Sequence, residues 1–270
     1  MKLIKDYDID WDEVLKIPEF QKLSETKQNQ IWHQEGNALI HTQNVCNEMK
    51  KFLKDKLILE SQFNVFLYSA LFHDIGKINT TIVDEEGIYH CPNHANSSFW
   101  IAKNILPLIE DLSEDDINRI LNIISRHMHP MYVFKSKHPY KYLLTLCNSL
   151  INASFYELWI LKRCDILGSK NDHIEESLNT LDRILDFYYD RISFKPGTTV
   201  RITKVKDLKY NNQHPNNINE GYCFVGPING NMHIGGRIAS GISFCSSIIT
   251  KIIDKNTIQT KNSIYKIEKI

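Results

Sequence analysis

The chain has 270 residues, of which 42% are hydrophobic, enough for one large core or two modest ones, so extensive disorder is excluded. Lys plus Arg and Asp plus Glu number 32 each, so no global basic field favours nucleic acid. The N-terminal segment MKLIKDYDIDWDEVLK alternates charges, and no apolar run reaches the length of a membrane span. We therefore expect a cytoplasmic protein without a signal peptide or membrane contact.

The cysteines are scattered along the chain and none forms a CxxC pair. This spacing argues against a zinc knuckle and against a disulfide framework. We expect small buried hydrophobic residues or surface thiols at Cys46, Cys91, Cys147, Cys164, Cys223 and Cys245.

Residues 10–195 carry apolar side chains at three- and four-residue steps with few Gly or Pro, a pattern that predicts helices. Ser113 precedes EDDINRIL, which is typical of an N-cap followed by acids in the first turn. DEEGIYHCP at 84–92 breaks the pattern and predicts a loop or short hairpin. The predicted helices span 38–54, 62–75, 95–106, 114–127, 139–149, 152–168 and 173–191.

After FKPG at 194–197 the pattern changes to short alternating or β-branched segments separated by Gly- and Asn-rich turns. We predict a boundary near 195, with a helical domain at 1–195, a small β-rich module at 196–270 and an Asn-rich loop at 211–219. The fold class is then mainly α with a small C-terminal antiparallel β module. The predicted strands lie in TTVRITKVK, GYCFVGPI, HIGGRIAS, SFCSSIITKIID and TIQTKNSIYKIE.

The segment FLYSALFHDIGKI places His73 and Asp74 within an apolar run that predicts a buried helix ending at Gly76. A buried carboxylate is costly unless something pairs with it, so the two side chains bind each other or a positive group. Near a helix end both can reach one point. Imidazole and carboxylate together suit first-row transition metals or magnesium-like ions.

One such pair supplies too few ligands, so other helices must contribute. Asp165 in LWILKRCDIL is likewise a carboxylate within an apolar helical stretch. Imidazoles at predicted helical positions come from His41, His94 and His127. Two structural alternatives stay open at this point: a hydrogen-bonded core pair for His73 and Asp74, and a salt bridge from Asp165 to Lys162 or Arg163.

The order of these residues, with HDIGK intact, resembles the HD superfamily of metal-dependent phosphohydrolases. The segment IWHQEGNALIHTQNV is similar to the EG…HT motif at the start of the HD domain attached to bacterial tRNA nucleotidyltransferases. The agreement covers residues 30–170 and extends to ALFHDIGK, NHANSS, IISRH and CDILGS. The resemblance implies an all-helical domain that binds one or two divalent ions, with Mg, Mn, Co, Ni and Fe all candidates. The nucleotidyltransferase catalytic domain has no counterpart, so we do not expect addition of CCA ends.

The resemblance also implies roles for individual residues. The metal ligands would be His41, His73, Asp74 and Asp165. His94 and His127 would bind a second metal or the substrate phosphate, and Lys77 would contact a phosphate oxygen. For catalysis, Asp74 would orient or deprotonate a water, while Lys77 or a protonated His127 would offset charge on the phosphate. His33 and Glu35 could line the pocket, but we expect solvated loop residues at both positions.

The implied reaction is hydrolysis of a phosphomonoester or phosphodiester on a nucleotide or an RNA end, and a 2′,3′-cyclic phosphate is one specific candidate. The alternative is a catalytically inactive HD-fold nucleotide sensor or interaction protein, or an HD platform whose β module binds the partner. That module could bind a protein, a nucleic acid or another copy of the chain. Its basic VRITKVKDLKY segment favours a solvated strand face over nucleic-acid binding. The oligomeric state stays open.

Overall fold

The computed structural model describes residues 1–54, 60–240 and 244–270. The chain forms two compact units, one of Met1–Pro130 with Glu157–Leu181 and one of Met131–Tyr156 with Asp182–Ile270. Whether 1–195 and 196–270 are separate domains stays a prediction. Within the described ranges no helix has both the length and the apolar character that a bilayer crossing needs.

Helices dominate the chain up to residue 191, and the mainly α prediction is confirmed. Two short antiparallel ribbons accompany them, β1 (Ile4–Lys5) with β2 (Asp8–Ile9) and β3 (Ile82–Val83) with β4 (Tyr89–His90). The second ribbon confirms the predicted break in the helical pattern. The helices are α1 (Trp11–Val14), α2 (Pro18–Leu23), α3 (Ala38–Lys54), α4 (Glu60–Phe72), α5 (Lys77–Thr80), α6 (His94–Ile105), α7 (Glu114–Ile124), α8 (Pro139–Ser149), α9 (Phe155–Gly168) and α10 (Ile174–Arg191).

Most helix boundaries agree with the sequence pattern to within a turn. Ser113 caps α7 as predicted, because its hydroxyl accepts from the Asp116 N–H at 3.2 Å while its own N–H donates to the Asp116 carboxylate. The predictions 62–75 and 114–127 are wrong at their C-terminal ends, since α4 ends at Phe72 and α7 at Ile124. His73 and His127 therefore lie in the turns that follow these helices.

The chain after residue 198 forms a five-stranded antiparallel sheet in the order β6-β5-β11-β10-β9. This sheet confirms the predicted β module. In HIGGRIAS the strand prediction is mostly wrong, because Gly235 takes a φ of +87° that interrupts an extended strand. The predicted strand SFCSSIITKIID begins at 243, outside the described residues. The strands are β5 (Thr199–Asp207), β6 (Cys223–Pro227), β7 (Ala239–Ser240), β8 (Phe244–Cys245), β9 (Ile249–Asp254), β10 (Thr257–Thr260) and β11 (Ser263–Lys269).

Candidate metal centre

Five elements of the first unit bring the predicted site residues into one buried cluster. His41 is on α3, His73 and Asp74 follow α4, and Asp165 is on α9. The relative exposure of these four residues is 0%, 0%, 2% and 6%. His94 begins α6, and the fully buried His127 follows α7. Ionisable side chains therefore occupy the interior of a helical unit, where each needs a partner.

His41, His73 and Asp74 lie together although His41 is far from the other two in the sequence, and Asp165 contacts the two imidazoles. The Asp165 Oδ1 lies 3.0 Å from the His41 Nε2 and 3.7 Å from the His73 Nε2. The Asp74 Oδ2 lies 3.5 Å and 3.3 Å from the same two nitrogens. The ligand atoms of His41, His73 and Asp74 all lie within 4.8 Å of one another, so this group could hold a metal ion.

The other oxygen of Asp74 faces a second group of nitrogens. Its Oδ1 lies 3.2 Å from the His94 Nε2 and 3.6 Å from the His127 Nε2, and these two nitrogens are 3.1 Å apart. This group also meets the 4.8 Å criterion for a metal site. The Asp74 carboxylate is thus placed to serve both groups, one with each oxygen.

The backbone sets which ring nitrogen of three histidines carries the proton. His73 Nδ1 donates to the Ala70 carbonyl at 2.8 Å, His94 Nδ1 to the Cys91 carbonyl at 2.8 Å, and His127 Nδ1 to the Ile124 carbonyl at 2.7 Å. A carbonyl oxygen only accepts, so in a neutral ring the Nε2 lone pair is left facing the carboxylates. The buried His73 Nε2 has no hydrogen-bond partner.

Lone pairs that face carboxylate oxygens repel unless a cation lies between them. A proton or a divalent ion satisfies this arrangement, and mixed imidazole and carboxylate donors are ones that first-row transition metals and magnesium-like ions accept. The side chains present therefore fit a bound divalent metal.

Two lysines pair with the carboxylates: Lys77 with the Asp74 oxygen that also faces His41 and His73, and Lys162 with the Asp165 oxygen that does not face His41. The Lys77 Nζ lies 2.6 Å from the Asp74 Oδ2 and donates to the Gln28 Oε1 at 2.6 Å. The Lys162 Nζ lies 2.6 Å from the Asp165 Oδ2, so the salt bridge considered for Asp165 exists beside its contact with His41. These ion pairs let the two carboxylates stay charged in the interior.

The cluster shifts the ionisation of its members in opposite directions. Burial raises the pKa of Asp74, but the charges of His73 and Lys77 outweigh burial and hold this pKa well below its usual value. Burial also raises the pKa of Asp165, but the charge of Lys162 and a hydrogen bond from His41 outweigh burial and hold this pKa well below its usual value. Burial lowers the pKa of His73, whereas Asp74 and Asp165 raise it to about 9. In the absence of a metal, this raised pKa favours a protonated His73 between the two carboxylates.

The surroundings of His127 disfavour the protonated catalytic role, which stays a prediction. Burial, and next the charge of His94, hold the pKa of His127 well below its usual value. Its imidazole is therefore neutral near pH 7 and offers a lone pair rather than a positive charge. A metal-ligand or acceptor role fits this side chain, and Lys77 is left as the cation beside Asp74.

Gly76 is not the helix terminator that the sequence suggested. Its φ is −69°, an ordinary right-handed value, and it precedes α5. A Cβ at this position would lie 2.3 Å from the His94 carbonyl oxygen and 2.3 Å from the Ser98 backbone nitrogen. The glycine instead permits the HD turn to touch α6, and its N–H donates to the Ser98 hydroxyl at 2.8 Å. This contact brings His94 to Asp74.

The sequence analysis missed Gln28 and expected Glu35 to be solvated. Gln28 is fully buried and holds Lys77, while its own side-chain NH2 has no hydrogen-bond partner. It lies in the polar run KQNQ, which gives no sign of burial. The expectation of a solvated Glu35 is wrong, because its side chain is only 3% exposed and lies 2.9 Å from the His33 Nδ1. The sequence signal that could have indicated a buried Glu35 was its place in the EG…HT motif, just before His41.

No family model matches the chain, and no curated protein is similar enough to count as a relative. The quoted motifs and the buried cluster are therefore the basis of the resemblance to the HD superfamily.

Proposed function

We propose that this protein is an HD-type metal-dependent phosphohydrolase acting on a nucleotide or on a phosphate at an RNA end. One observation carries the proposal: His41, His73, Asp74 and Asp165 converge in a buried site, where the partnerless His73 Nε2 faces two carboxylates. These are the positions at which the quoted motifs place metal ligands, in the same chain order.

The charge of the cluster favours an anionic substrate. Asp74, Asp165 and Glu35 contribute three negative charges, and Lys77 and Lys162 contribute two positive ones. A bound divalent ion turns this net charge of minus one into plus one when the histidines are neutral. A phosphate ester compensates that charge, whereas a neutral or cationic ligand does not.

A divalent ion in this site would lower the pKa of a coordinated water and polarise a phosphoryl oxygen. The chain's own residues then have distinct tasks. Asp74 orients the water and is its proton acceptor, while Lys77 keeps the Asp74 carboxylate ionised and stabilises charge on the phosphate. The new bond joins the water oxygen to phosphorus, the ester P–O bond breaks, and the leaving alkoxide takes the proton that Asp74 accepted from the water.

Turnover by metal-stripped protein resupplied with Mg²⁺, Mn²⁺, Co²⁺ or Ni²⁺ tests this function. Suitable substrates are an aryl phosphate monoester, an aryl phosphodiester and a panel of 2′,3′-cyclic nucleotides. Asp74→Asn removes the shared carboxylate charge and is expected to abolish turnover. The matched control is Asp111→Asn, since Asp111 lies in the same unit and accepts hydrogen bonds from Asn64 and Tyr68.

Metal-dependent turnover that survives in Asp111→Asn and disappears in Asp74→Asn supports the proposal. Nucleotide binding without turnover in any metal contradicts it and favours the sensor. Turnover that Asp74→Asn leaves intact contradicts the assigned site.

A further inference from the structure

We propose that Glu35 is a positioning residue that holds the His41 imidazole with its proton on Nδ1, so that Nε2 is available to a metal. The inference rests on the proposed function, because it assigns His41 to a metal centre. It concerns the residues that precede α3, which the sequence placed on the solvated rim of the site.

Glu35 is fixed from two sides in a buried position. Its Oε1 lies 2.9 Å from the His41 Nδ1 and accepts a hydrogen bond from the His33 Nδ1 at 2.9 Å. Its Oε2 accepts from the backbone N–H of Lys170 at 2.8 Å. Lys170 follows the end of α9, the helix that carries Asp165. The carboxylate therefore ties the segment before His41 to the helix that supplies a second proposed ligand.

His41 differs from the other clustered histidines in the kind of oxygen that lies next to its Nδ1. Backbone carbonyls take the Nδ1 proton of His73, His94 and His127, whereas the His41 Nδ1 has a carboxylate within 2.9 Å. A carboxylate partner orients a ligating imidazole and also raises its basicity, so it strengthens the bond that the opposite nitrogen makes.

Both ring nitrogens of His41 face carboxylate oxygens, and a neutral ring has one N–H to share between them. The ring is aligned on Asp165, since Nε2 lies 3.0 Å from the Asp165 Oδ1 in hydrogen-bond geometry, while Nδ1 is close to Glu35 without a well-directed bond. A metal on Nε2 requires that lone pair. The ring proton then belongs on Nδ1, where Glu35 is the acceptor within reach.

Cobalt binding measures this role without any activity assay. Wild-type protein, Glu35→Gln, Glu35→Ala and His41→Ala are titrated with Co²⁺, with affinity from calorimetry and ligand geometry from the visible absorption spectrum. Glu35→Gln keeps the size of the side chain and an acceptor oxygen but loses the charge. Glu157→Gln is the matched control, because Glu157 is a buried glutamate of the same unit that accepts from the Arg119 Nε at 2.6 Å.

We expect Glu35→Gln to weaken Co²⁺ binding by about 10-fold to 100-fold and to change the Co²⁺ spectrum. Glu35→Ala is expected to weaken it at least as much, and Glu157→Gln to leave affinity and spectrum unchanged. Wild-type affinity and spectrum in both Glu35 variants, with binding lost in His41→Ala, would overturn the inference and leave the proposed function standing. Absence of Co²⁺ binding by the wild-type protein, or wild-type binding by His41→Ala, would overturn both.

Discussion

Metal binding at the centre formed by His41, His73, Asp74 and Asp165 is expected to strengthen steeply with pH. Burial lowers the pKa of His73, but the carboxylates of Asp74 and Asp165 raise it to about 9. Its Nδ1 is committed to the Ala70 carbonyl, so the additional proton is on Nε2, the atom that faces the proposed metal position. A metal must displace that proton before it can bind.

The magnitude follows from this competition. Each pH unit below the His73 pKa costs about tenfold in apparent affinity, so two pH units below it cost about 100-fold, or roughly 2.7 kcal/mol. Asp74 and Asp165 add nothing over this range, because their pKa values lie well below the usual carboxylate value. Lys77 adds nothing either, since Asp74 outweighs burial and raises the pKa of this lysine.

Calorimetric titration with Mn²⁺ at several pH values between about 6.5 and 8.5 measures the slope, and buffers of different ionisation enthalpy count the released protons. We expect one proton released per metal bound near neutral pH. A dissociation constant that stays flat across this range, with no proton release, would refute the proposal that His73 is a ligand through Nε2. His73→Ala should bind weakly and lose the slope.

Three further predictions concern stability. In the metal-free protein, folding raises the pKa of His73 from its ordinary 6.5 to about 9. The stabilisation by this proton is therefore complete below pH 6.5 and is lost as the pH rises through about 9. Urea unfolding at several pH values across this range measures the loss. Gly76→Ala is expected to lower the free energy of unfolding by about 1–3 kcal/mol or more, because the added Cβ meets backbone atoms. Gly230→Ala is the control and should cost less, because the space around its Cβ is open. Asp165→Asn strands the buried ammonium of Lys162 and should cost about 3–5 kcal/mol, and adding Lys162→Met should recover much of that loss; an equal loss in the double variant would contradict the ion-pair explanation.

Side-chain periodicity predicted the helices well where one face is apolar and the other polar. Helices α3 and α8 match 38–54 and 139–149. The end of α4 could not be read in this way, because the turn after Phe72 is buried like the helix before it and the apolar run continues through Ile75. HIGGRIAS failed for a different reason, since its isoleucines favour a strand while Gly235 takes a left-handed φ that turns the backbone.

The ligand candidates were predictable because a carboxylate in an apolar run has few physical explanations, and Asp74 and Asp165 both occupy such runs. Their supporting residues were not, because their importance arises only from three-dimensional contact. Gln28 and Glu35 stand in polar segments that look solvated, and the structure buries both against the cluster. Lys162 could be assigned to Asp165 by helical spacing, and the 2.6 Å ion pair agrees with that assignment.

X-ray absorption spectroscopy of the Co²⁺-loaded protein tests the central claim most directly. The expected spectrum shows mixed imidazole-nitrogen and carboxylate-oxygen coordination, and it loses an imidazole contribution in His41→Ala and in His73→Ala. A wild-type protein that retains no divalent ion after dialysis, or a coordination shell that these two substitutions leave unchanged, would contradict it.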